Sequence, residues 1–420
     1  MTARSILQVF DQYQKARLFF VQSIADFASK PNTIDCLEAA GVLDLLCPLL
    51  TDPVPSIQHT AAVALGKLAN NSYKLAQTVV RMGILPQLLK NIDKQNKFYK
   101  KAALFVLRAI ARHSPELASM VIQSNGLDTI IICLEDFDSG VKEATAWALG
   151  YIARHSKTLA QAIVDAGAVP LLVLALQEPE LCLKQISASA LFDISKHNID
   201  LAETVVDAGA IPFLAKALSN PDTKLKRQVL LALSSIAKHS VHLAESIIEA
   251  EIFPDVLVHM AHPDECVVKA AAMLTREICK HTLEGIVHLS TILYEENDDH
   301  TLAVTVWAIG QIGKHTSEHA KAVAVANVLP KLLQLYNNPN SSEDLKAKCN
   351  TALKQILQKC MYIEALESLL HDSPPNILKY VLGQFSKILL SGISKQSFGS
   401  CRTVSTEMSF PICNGRTLIF

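Results

Sequence analysis

Apolar residues recur at helical spacing in three kinds of segment that alternate along the chain. Between residues 141 and 179, the segment Val141–Arg154 spaces alanine, leucine and isoleucine along one helical face. The next segment, Leu159–Ala166, is short and amphipathic. The third, PLLVLAL from Pro170, is apolar nearly all round, as is typical of a buried helix. The pattern predicts a unit of one short helix, one buried helix and one long amphipathic helix.

This unit repeats with a period of 42 residues. A basic residue followed by histidine ends each long helix, and a glycine slot follows each short helix. The histidines are His113, His155, His197, His239 and His281, each 42 residues after the last, followed by His315. The glycine slot holds Gly41, Gly83, Gly126, Gly167, Gly209, Glu251 and Asn327. A helical period of this length predicts an all-α solenoid of stacked repeats.

The glycine slot predicts how each short helix ends, because glycine adopts the left-handed conformation of a helix C-terminus at little cost. Proline stands three residues later and suits the first turn of the next helix, where a missing N–H costs little. These prolines are Pro86, Pro170, Pro212, Pro254 and Pro330.

The period also divides the chain. Residues 1–31 form an N-terminal helical cap, with an amphipathic helix from Asp11 to Ala28, and residues 32–390 form the repeat array. His281 and His315 are only 34 residues apart, so this repeat lacks its first helix. We therefore expect an irregular joint at residues 282–300. A helix is predicted from Pro374 to Leu389, and residues 391–420, rich in serine and threonine, are predicted to be a disordered tail.

Composition narrows the environment and the partners. Half of the 420 residues are hydrophobic, but no apolar run approaches the roughly 18 to 20 residues of a membrane-spanning helix. The formal net charge of −1 gives no global field for nucleic acid or a membrane surface. Ten scattered cysteines without a CxxC pair are typical of reduced, packed thiols. We expect a cytoplasmic protein that binds neither nucleic acid nor membrane.

One segment, from His315 to His319, matches the zinc-hydrolase motif HxxEH. The repeat accounts for this match, because His315 belongs to the histidine series and Glu318 matches Glu116 of an earlier repeat. The segment also straddles a helix end, where two histidines and a carboxylate cannot hold tetrahedral geometry. We expect no metal, no cofactor and no catalytic residues.

Three other features suggest partner binding, each beside a structural alternative. Seven cations in residues 90–112 face a single acid within that segment, Asp93: Lys90, Lys94, Lys97, Lys100, Lys101, Arg108 and Arg112. The cluster is either a docking patch for an acidic protein or a solvated helix face. Trp147 and Trp307, with Tyr151 and Gln311 four residues later, either line the binding groove or pack on the next helix. The basic-histidine pairs either complement the dipole of their own helix or bind a partner.

The order of helices resembles the armadillo superfamily, which implies a right-handed α-solenoid with the long helices lining its concave face. In importin-like members an asparagine follows tryptophan by four residues, repeat after repeat. Tyr151 and Gln311 occupy those positions here. This departure argues against the binding of nuclear import signals. A soluble transport or adhesion adaptor of the importin or catenin kind remains the alternative function.

The amino-acid sequences of several segments resemble the sperm-associated antigen six family of the central apparatus in motile cilia and flagella. The resemblance covers residues 1 to about 390 and is carried by LQVFDQYQKAR from Leu7, NKFYKKAALFVLRAIARHSPELA from Asn96, CLEDFDSGVKEATAWALGYIARHS from Cys133, and PPNILKYVLGQFSKIL from Pro374. It implies a non-enzymatic scaffold that binds microtubules, other central-apparatus proteins and further copies of itself. The stretch after His281 is about one repeat shorter than the family pattern, and residues 391–420 depart from it.

Overall fold

The computed structural model describes residues 3–90, 92–260, 262–281, 284–295 and 297–396. Within those ranges the regular structure is helical throughout. The 26 α-helices are α1 Ala3–Phe27, α2 Ile34–Ala39, α3 Val42–Leu46, α4 Pro55–Asn71, α5 Tyr73–Arg81, α6 Ile84–Leu89, α7 Lys97–Ala111, α8 Pro115–Val121, α9 Leu127–Ile132, α10 Ser139–Ala153, α11 Lys157–Asp165, α12 Ala168–Ala175, α13 Leu181–Ser195, α14 Ile199–Asp207, α15 Ala210–Leu218, α16 Thr223–Ala237, α17 Val241–Glu249, α18 Phe253–His259, α19 Glu265–His281, α20 Glu284–Glu295, α21 Asp299–Gly313, α22 Ser317–Val325, α23 Val328–Asn337, α24 Glu343–Leu357, α25 Ile363–Glu367 and α26 Pro375–Gln396.

The helices follow the predicted order of short, buried and long. In the repeat that best shows the pattern, α10, α11 and α12 begin and end within two residues of the predicted segments. We call α4, α7, α10, α13, α16, α19, α21 and α24 the third helices, because each closes a repeat. Neighbouring third helices pack along one another and form the spine of the solenoid. Fully buried alanines such as Ala103, Ala146 and Ala188 allow this close approach.

Serine starts the first helix of several repeats, directly after the histidine of the preceding repeat. The hydroxyl of Ser114 accepts a hydrogen bond from the amide of Leu117 at 3.3 Å. Ser156 accepts one from Leu159 in the same way. Each bond satisfies one of the N–H groups that lack a partner within a helix's first turn. The sequence His-Ser therefore both ends one repeat and begins the next.

The glycine slot is left-handed in six of its seven occurrences. Gly167 has φ 83°, and Glu251 and Asn327 adopt φ 54° and 57° although they carry side chains. The prediction is wrong for Gly126, which has φ −91°. This repeat has one extra residue, which a π-helical turn from Ile122 to Gly126 absorbs. A Cβ at 126 would lie 2.3 Å from Leu89 Cδ1, so a larger residue there would require the Leu89 side chain to move.

The two ends of the array extend beyond their predicted bounds. Helix α1 begins at Ala3, eight residues before the predicted Asp11. Helix α26 continues to Gln396, past the predicted start of the tail at Ser391, because no proline interrupts residues 391–396. The remainder of the predicted tail, residues 397–420, lies outside the described residues.

A single helix, α20, stands between the third helices α19 and α21. This repeat therefore has no first helix, as the 34-residue spacing of its histidines predicts. The packing of α19 against α21 is slight, whereas α16 against α19 and α21 against α24 pack along most of their length. The missing helix thus weakens the spine at one place.

We expect α20 to be the internal helix that opens first, because fewer helices bury its neighbours. Amide hydrogen exchange followed by mass spectrometry should show early exchange across residues 284–300 and late exchange across residues 140–240. Uniform protection of both regions would contradict the expectation.

The eight cysteines in the described ranges are free. Burial raises the pKa of the Cys279 and Cys349 thiols to about 12 and that of Cys133 to about 11, so these thiols stay protonated.

No single described helix is long and apolar enough to cross a membrane. Two bent helix pairs reach the required length and composition only when both helices of a pair are counted together.

Candidate protein-interaction surface

The third helices present one face on which equivalent residues recur at each repeat. Trp147 and the residues at its position in other repeats lie on this face, which we call the third-helix face. The row is Val63, Phe105, Trp147, Ser189, Leu231, Met273 and Trp307. A cavity of about 290 Å³ opens there and is lined by residues of α10, α13 and α16. The face is therefore grooved rather than flat.

Five side chains of α7 and α10 form a continuous stack on this face, which we call the arginine–aromatic stack. The Arg108 guanidinium lies 5.0 Å from the ring centroid of Phe105 and 5.3 Å from that of Trp147. Trp147 stacks on Tyr151 at 5.6 Å between centroids, and the Arg154 guanidinium lies 5.1 Å from the Tyr151 ring. Each cation–π contact of this kind contributes about 0.5–1 kcal/mol at an exposed site.

The stack orients two guanidinium groups without neutralising them. Among the described residues, neither Arg108 nor Arg154 forms an ion pair. Burial lowers the pKa of Arg108, which nevertheless stays a cation near neutral pH. Because the aromatic rings cover the faces of the guanidiniums, their N–H edges remain available for a carboxylate.

The lysines of the predicted basic cluster have a different environment. Lys97 and Lys101 pair with Asp138 at 3.1 and 3.4 Å, and Lys100 pairs with Asp136 at 2.7 Å. The interpretation that these cations face a single acid is therefore wrong, because the loop before α10 supplies two more carboxylates. Burial opposes ionisation of Asp136, but hydrogen bonds from Lys100 and the backbone amide of Asp138 lower its pKa. These pairs connect neighbouring repeats.

The cluster thus separates into two groups. Lys97, Lys100 and Lys101 lie near the start of α7, whereas Arg108 lies in the arginine–aromatic stack near its end. Arg112 is exposed and donates a hydrogen bond to Asn70 Oδ1 at 2.7 Å. Phe105 completes the stack, and sequence reasoning missed it although it lies 42 residues before Trp147.

The histidines that end the repeats, His113, His155, His197, His239, His281 and His315, are here called the histidine ladder. The basic residues directly before them form a row along the third-helix face. Their order is Arg112, Arg154, Lys196, Lys238, Lys280 and Lys314. Lys196 pairs with Asp193 at 2.6 Å, and Lys280 pairs with the buried Glu277 at 2.6 Å. Lys238 instead donates to the backbone oxygen of Lys196 at 2.6 Å. The row keeps a net positive charge after these pairs are counted.

The histidines themselves connect the repeats. His155 Nε2 lies 2.6 Å from the carbonyl oxygen of Ala111, the last residue of α7, and His197 Nε2 lies 2.7 Å from that of Ala153. His113 and His239 make the same contact across 44 residues. A carbonyl oxygen only accepts, so Nε2 carries the hydrogen. Each histidine therefore caps the preceding third helix, a role beyond the predicted interaction with its own helix dipole.

The joint shifts this contact by one helical turn. His319 takes the place of His315 there, with Nε2 at 3.1 Å from the carbonyl oxygen of Cys279 and Nδ1 at 2.7 Å from the Thr316 hydroxyl. Both ring nitrogens of His319, the second histidine of the HxxEH segment, therefore make hydrogen bonds within the fold. The described residues contain no cluster of metal-ligating side chains.

Trp307 and Gln311 lie far along the array from the arginine–aromatic stack. Trp307 is 39% exposed and lines a cavity between α19 and α21, and Gln311 lines a second cavity beside it. The structure therefore places the two predicted tryptophan sites in separate crevices of the same face.

Comparison with known proteins agrees with this architecture. Residues 114–154 and 198–238 match the armadillo/beta-catenin-like repeat, and residues 42–72 match the HEAT repeat. Sperm-associated antigen 6 of Mus musculus is 67% identical over 440 residues, which covers 93% of this chain and 87% of that protein. The Homo sapiens protein is 66% identical, with coverage of 93% and 86%. The chain belongs to the sperm-associated antigen 6 family.

The alignment with these family members also bears on the length of this chain. It spans 440 residues, more than the 420 residues of this chain, so it contains gaps on the side of this chain. Such gaps agree with the expectation that the chain is shorter than its family pattern. The family resemblance that the sequence segments carry is thereby confirmed.

Solved structures confirm the predicted all-α armadillo solenoid. An engineered protein superposes with a TM-score of 0.68 at 24% identity, covering 88% of this chain and 94% of its own. A designed armadillo repeat protein in complex with the peptide (KR)4 gives a TM-score of 0.54 at 22% identity, covering 56% and 99%. Fold and family together support a protein-interaction scaffold.

Proposed function

We propose that this member of the sperm-associated antigen 6 family is a non-enzymatic scaffold of the axonemal central apparatus. It associates with microtubules and supports ciliary and flagellar motility. The family membership, and the association with sperm in the name of the relatives, support this assignment. The observation that carries the binding role is the arginine–aromatic stack, whose two guanidiniums are oriented but lack ion-pair partners in the described part of the chain.

The stack suits an acidic protein surface, with the acidic tails of tubulin as the first candidate. A carboxylate can accept two hydrogen bonds from one guanidinium edge, and the pair is stronger where aromatic rings exclude water. Arg112 and Lys238 extend the positive charge along the same face. Clustered cations also accelerate encounter with an acidic partner at low salt.

The same charge disfavours the adaptor alternative in its nuclear-import form. The designed armadillo repeat protein among the structural relatives holds a basic (KR)4 peptide. Basic residues at repeated positions of the third-helix face would repel such a peptide here.

Localisation tests the proposal in cells. A tagged chain expressed in a multiciliated cell should concentrate along the axoneme between the outer doublets. Staining at the nuclear rim or at cell junctions would instead support an importin-like or catenin-like adaptor.

Co-sedimentation with microtubules tests the binding surface. The double variant Arg108→Gln and Arg154→Gln should weaken binding by about tenfold or more, a loss of at least about 1.4 kcal/mol, because both guanidiniums lose their contacts with carboxylates. Wild-type binding should fall as salt shortens the Debye length from about 10 Å to about 3 Å. The matched control is Arg81→Gln with Lys216→Gln, which removes two exposed cations elsewhere. Equal losses for both double variants would mean a diffuse charge effect and would contradict the assigned surface.

A further inference from the structure

The missing first helix leaves a crevice between α19 and α21, which we call the joint crevice. Other neighbouring third helices pack closely, but these two touch only slightly. Two adjoining cavities of about 500 and about 330 Å³ fill the space between them and share Arg276. The crevice opens on the third-helix face, far along the array from the arginine–aromatic stack.

The wider half of the joint crevice is apolar. Val268, Ala272 and Met273 of α19 face Val304 and Trp307 of α21 across it. Met273 is 42% exposed and Trp307 is 39% exposed. A large aromatic and a methionine left open side by side are typical of a surface that buries a partner's apolar side chain.

The margins of the joint crevice are basic. Five cations and three carboxylates surround it: Lys269, Arg276, Lys280, Lys314 and Lys348, with Glu265, Glu277 and Asp344. Arg276 and Lys280 share the one buried carboxylate of Glu277. Lys314 is exposed and forms no ion pair with any residue in the described ranges. The surplus of positive charge lies beside the narrower half, at Arg276, Lys280 and Lys314.

We propose that the joint crevice binds an extended acidic segment of a protein partner through one bulky apolar side chain, inserted beside Trp307 and Met273 and flanked by carboxylates that contact Arg276 and Lys314. An aromatic or aliphatic anchor in a desolvated pocket supplies most of the affinity at many interfaces, and surrounding charges supply selectivity. Helix α21 has 15 residues and is therefore about 22 Å long. An extended segment of about seven residues spans that length.

This site lies apart from the surface that carries the proposed function, so either can fail without the other. Charge selects the occupant, because a basic segment would meet the surplus cations. Two other occupants would leave different signatures: a second copy of this chain, and residues 397–420 of the same chain.

The two tryptophans of the sequence make the test direct. The full chain with Trp147→Phe keeps a ring beside Arg108 and leaves Trp307 as the single tryptophan. The probe is a blocked heptapeptide with one central phenylalanine flanked by three glutamates on each side. Its titration should shift Trp307 emission to shorter wavelength and should saturate.

Two variants and two matched controls locate the binding. In the same background, Met273→Glu should weaken binding at least tenfold, and Lys314→Glu should weaken it about three- to tenfold. Met120→Glu, which changes a methionine of similar exposure on α8, and Lys216→Glu, which changes an exposed cation on α15, should leave it unchanged.

Several results would overturn the proposal. A peptide with alanine in place of phenylalanine should bind at least tenfold more weakly, and a peptide with lysines in place of glutamates should not bind. Equal affinity for either peptide would contradict the assigned chemistry. Tenfold tighter binding after deletion of residues 397–420 would reassign the crevice to the chain's own terminus. A monomer-to-dimer shift on sedimentation that Met273→Glu abolishes would reassign it to a second copy.

Discussion

Replacing Gly310 with alanine should lower the melting temperature, whereas the same change at Gly150 should raise it. The two glycines occupy the same position in their third helices, three residues after a tryptophan. A Cβ at 310 would lie 2.9 Å from Ala352 Cβ and 3.0 Å from Ala352 Cα. A Cβ at 150 would lie 3.5 Å from the same two atoms of Ala190, an ordinary contact.

The expected magnitudes follow from packing and helix propensity. Forcing α21 away from α24 costs about 1–3 kcal/mol, because the obstructing atoms include backbone. Alanine in a helix interior is more stable than glycine by about 0.5–1 kcal/mol, and only Gly150→Ala gains this freely. Thermal unfolding of both variants beside wild type measures the difference. Equal shifts of the same sign would show that α21 and α24 approach less closely than the structure indicates.

Removing two histidines from the ladder should destabilise the array by about 2–4 kcal/mol, since each leaves a carbonyl oxygen in part-buried surroundings without its donor. The variant is His155→Ala with His197→Ala, which leaves the carbonyls of Ala111 and Ala153 unpaired. His242→Ala is the control, because that side chain is exposed on α17. Denaturation that leaves the double variant within about 0.5 kcal/mol of the control would contradict the capping role.

The ladder should also make stability depend on pH. Burial lowers the pKa of His197 and His239 below the ordinary value of 6.5. A lowered pKa means that the unfolded chain binds protons before the folded chain does. The stabilisation is therefore complete above pH 6.5 and declines as pH falls through the lowered pKa. A variant with His197→Ala and His239→Ala should therefore lose less stability than wild type over that range, and parallel losses would exclude these two histidines as the cause.

The sequence predicted the repeat because period and helix type depend on local residues. Glycine and proline mark helix ends through backbone conformation, which needs no distant partner. The 34-residue spacing revealed the missing first helix for the same reason. Gly126 departs from its slot because one extra residue can be absorbed by a π-helical turn instead of a longer loop.

The candidate surface was predicted only in part. Trp147, Tyr151 and Arg108 were singled out from their residue types, but nothing in the local sequence placed Arg108 between two rings from different helices. The sequence of residues 90–112 suggested that Lys97 and Lys101 are unpaired cations, because their partner Asp138 lies outside that segment. Counting charges within one segment overlooks partners from the next repeat.

The sequence by itself determined that the chain is a helical repeat array of this family, with its glycine slots and one shortened repeat. Only the tertiary structure decided which cations are neutralised, which histidines cap the preceding helix and where the third-helix face opens. The contacts between Lys100 and Asp136 and between His155 and Ala111 join residues 36 and 44 positions apart. They depend on the offset between stacked helices, and the packing of small side chains at the spine sets that offset.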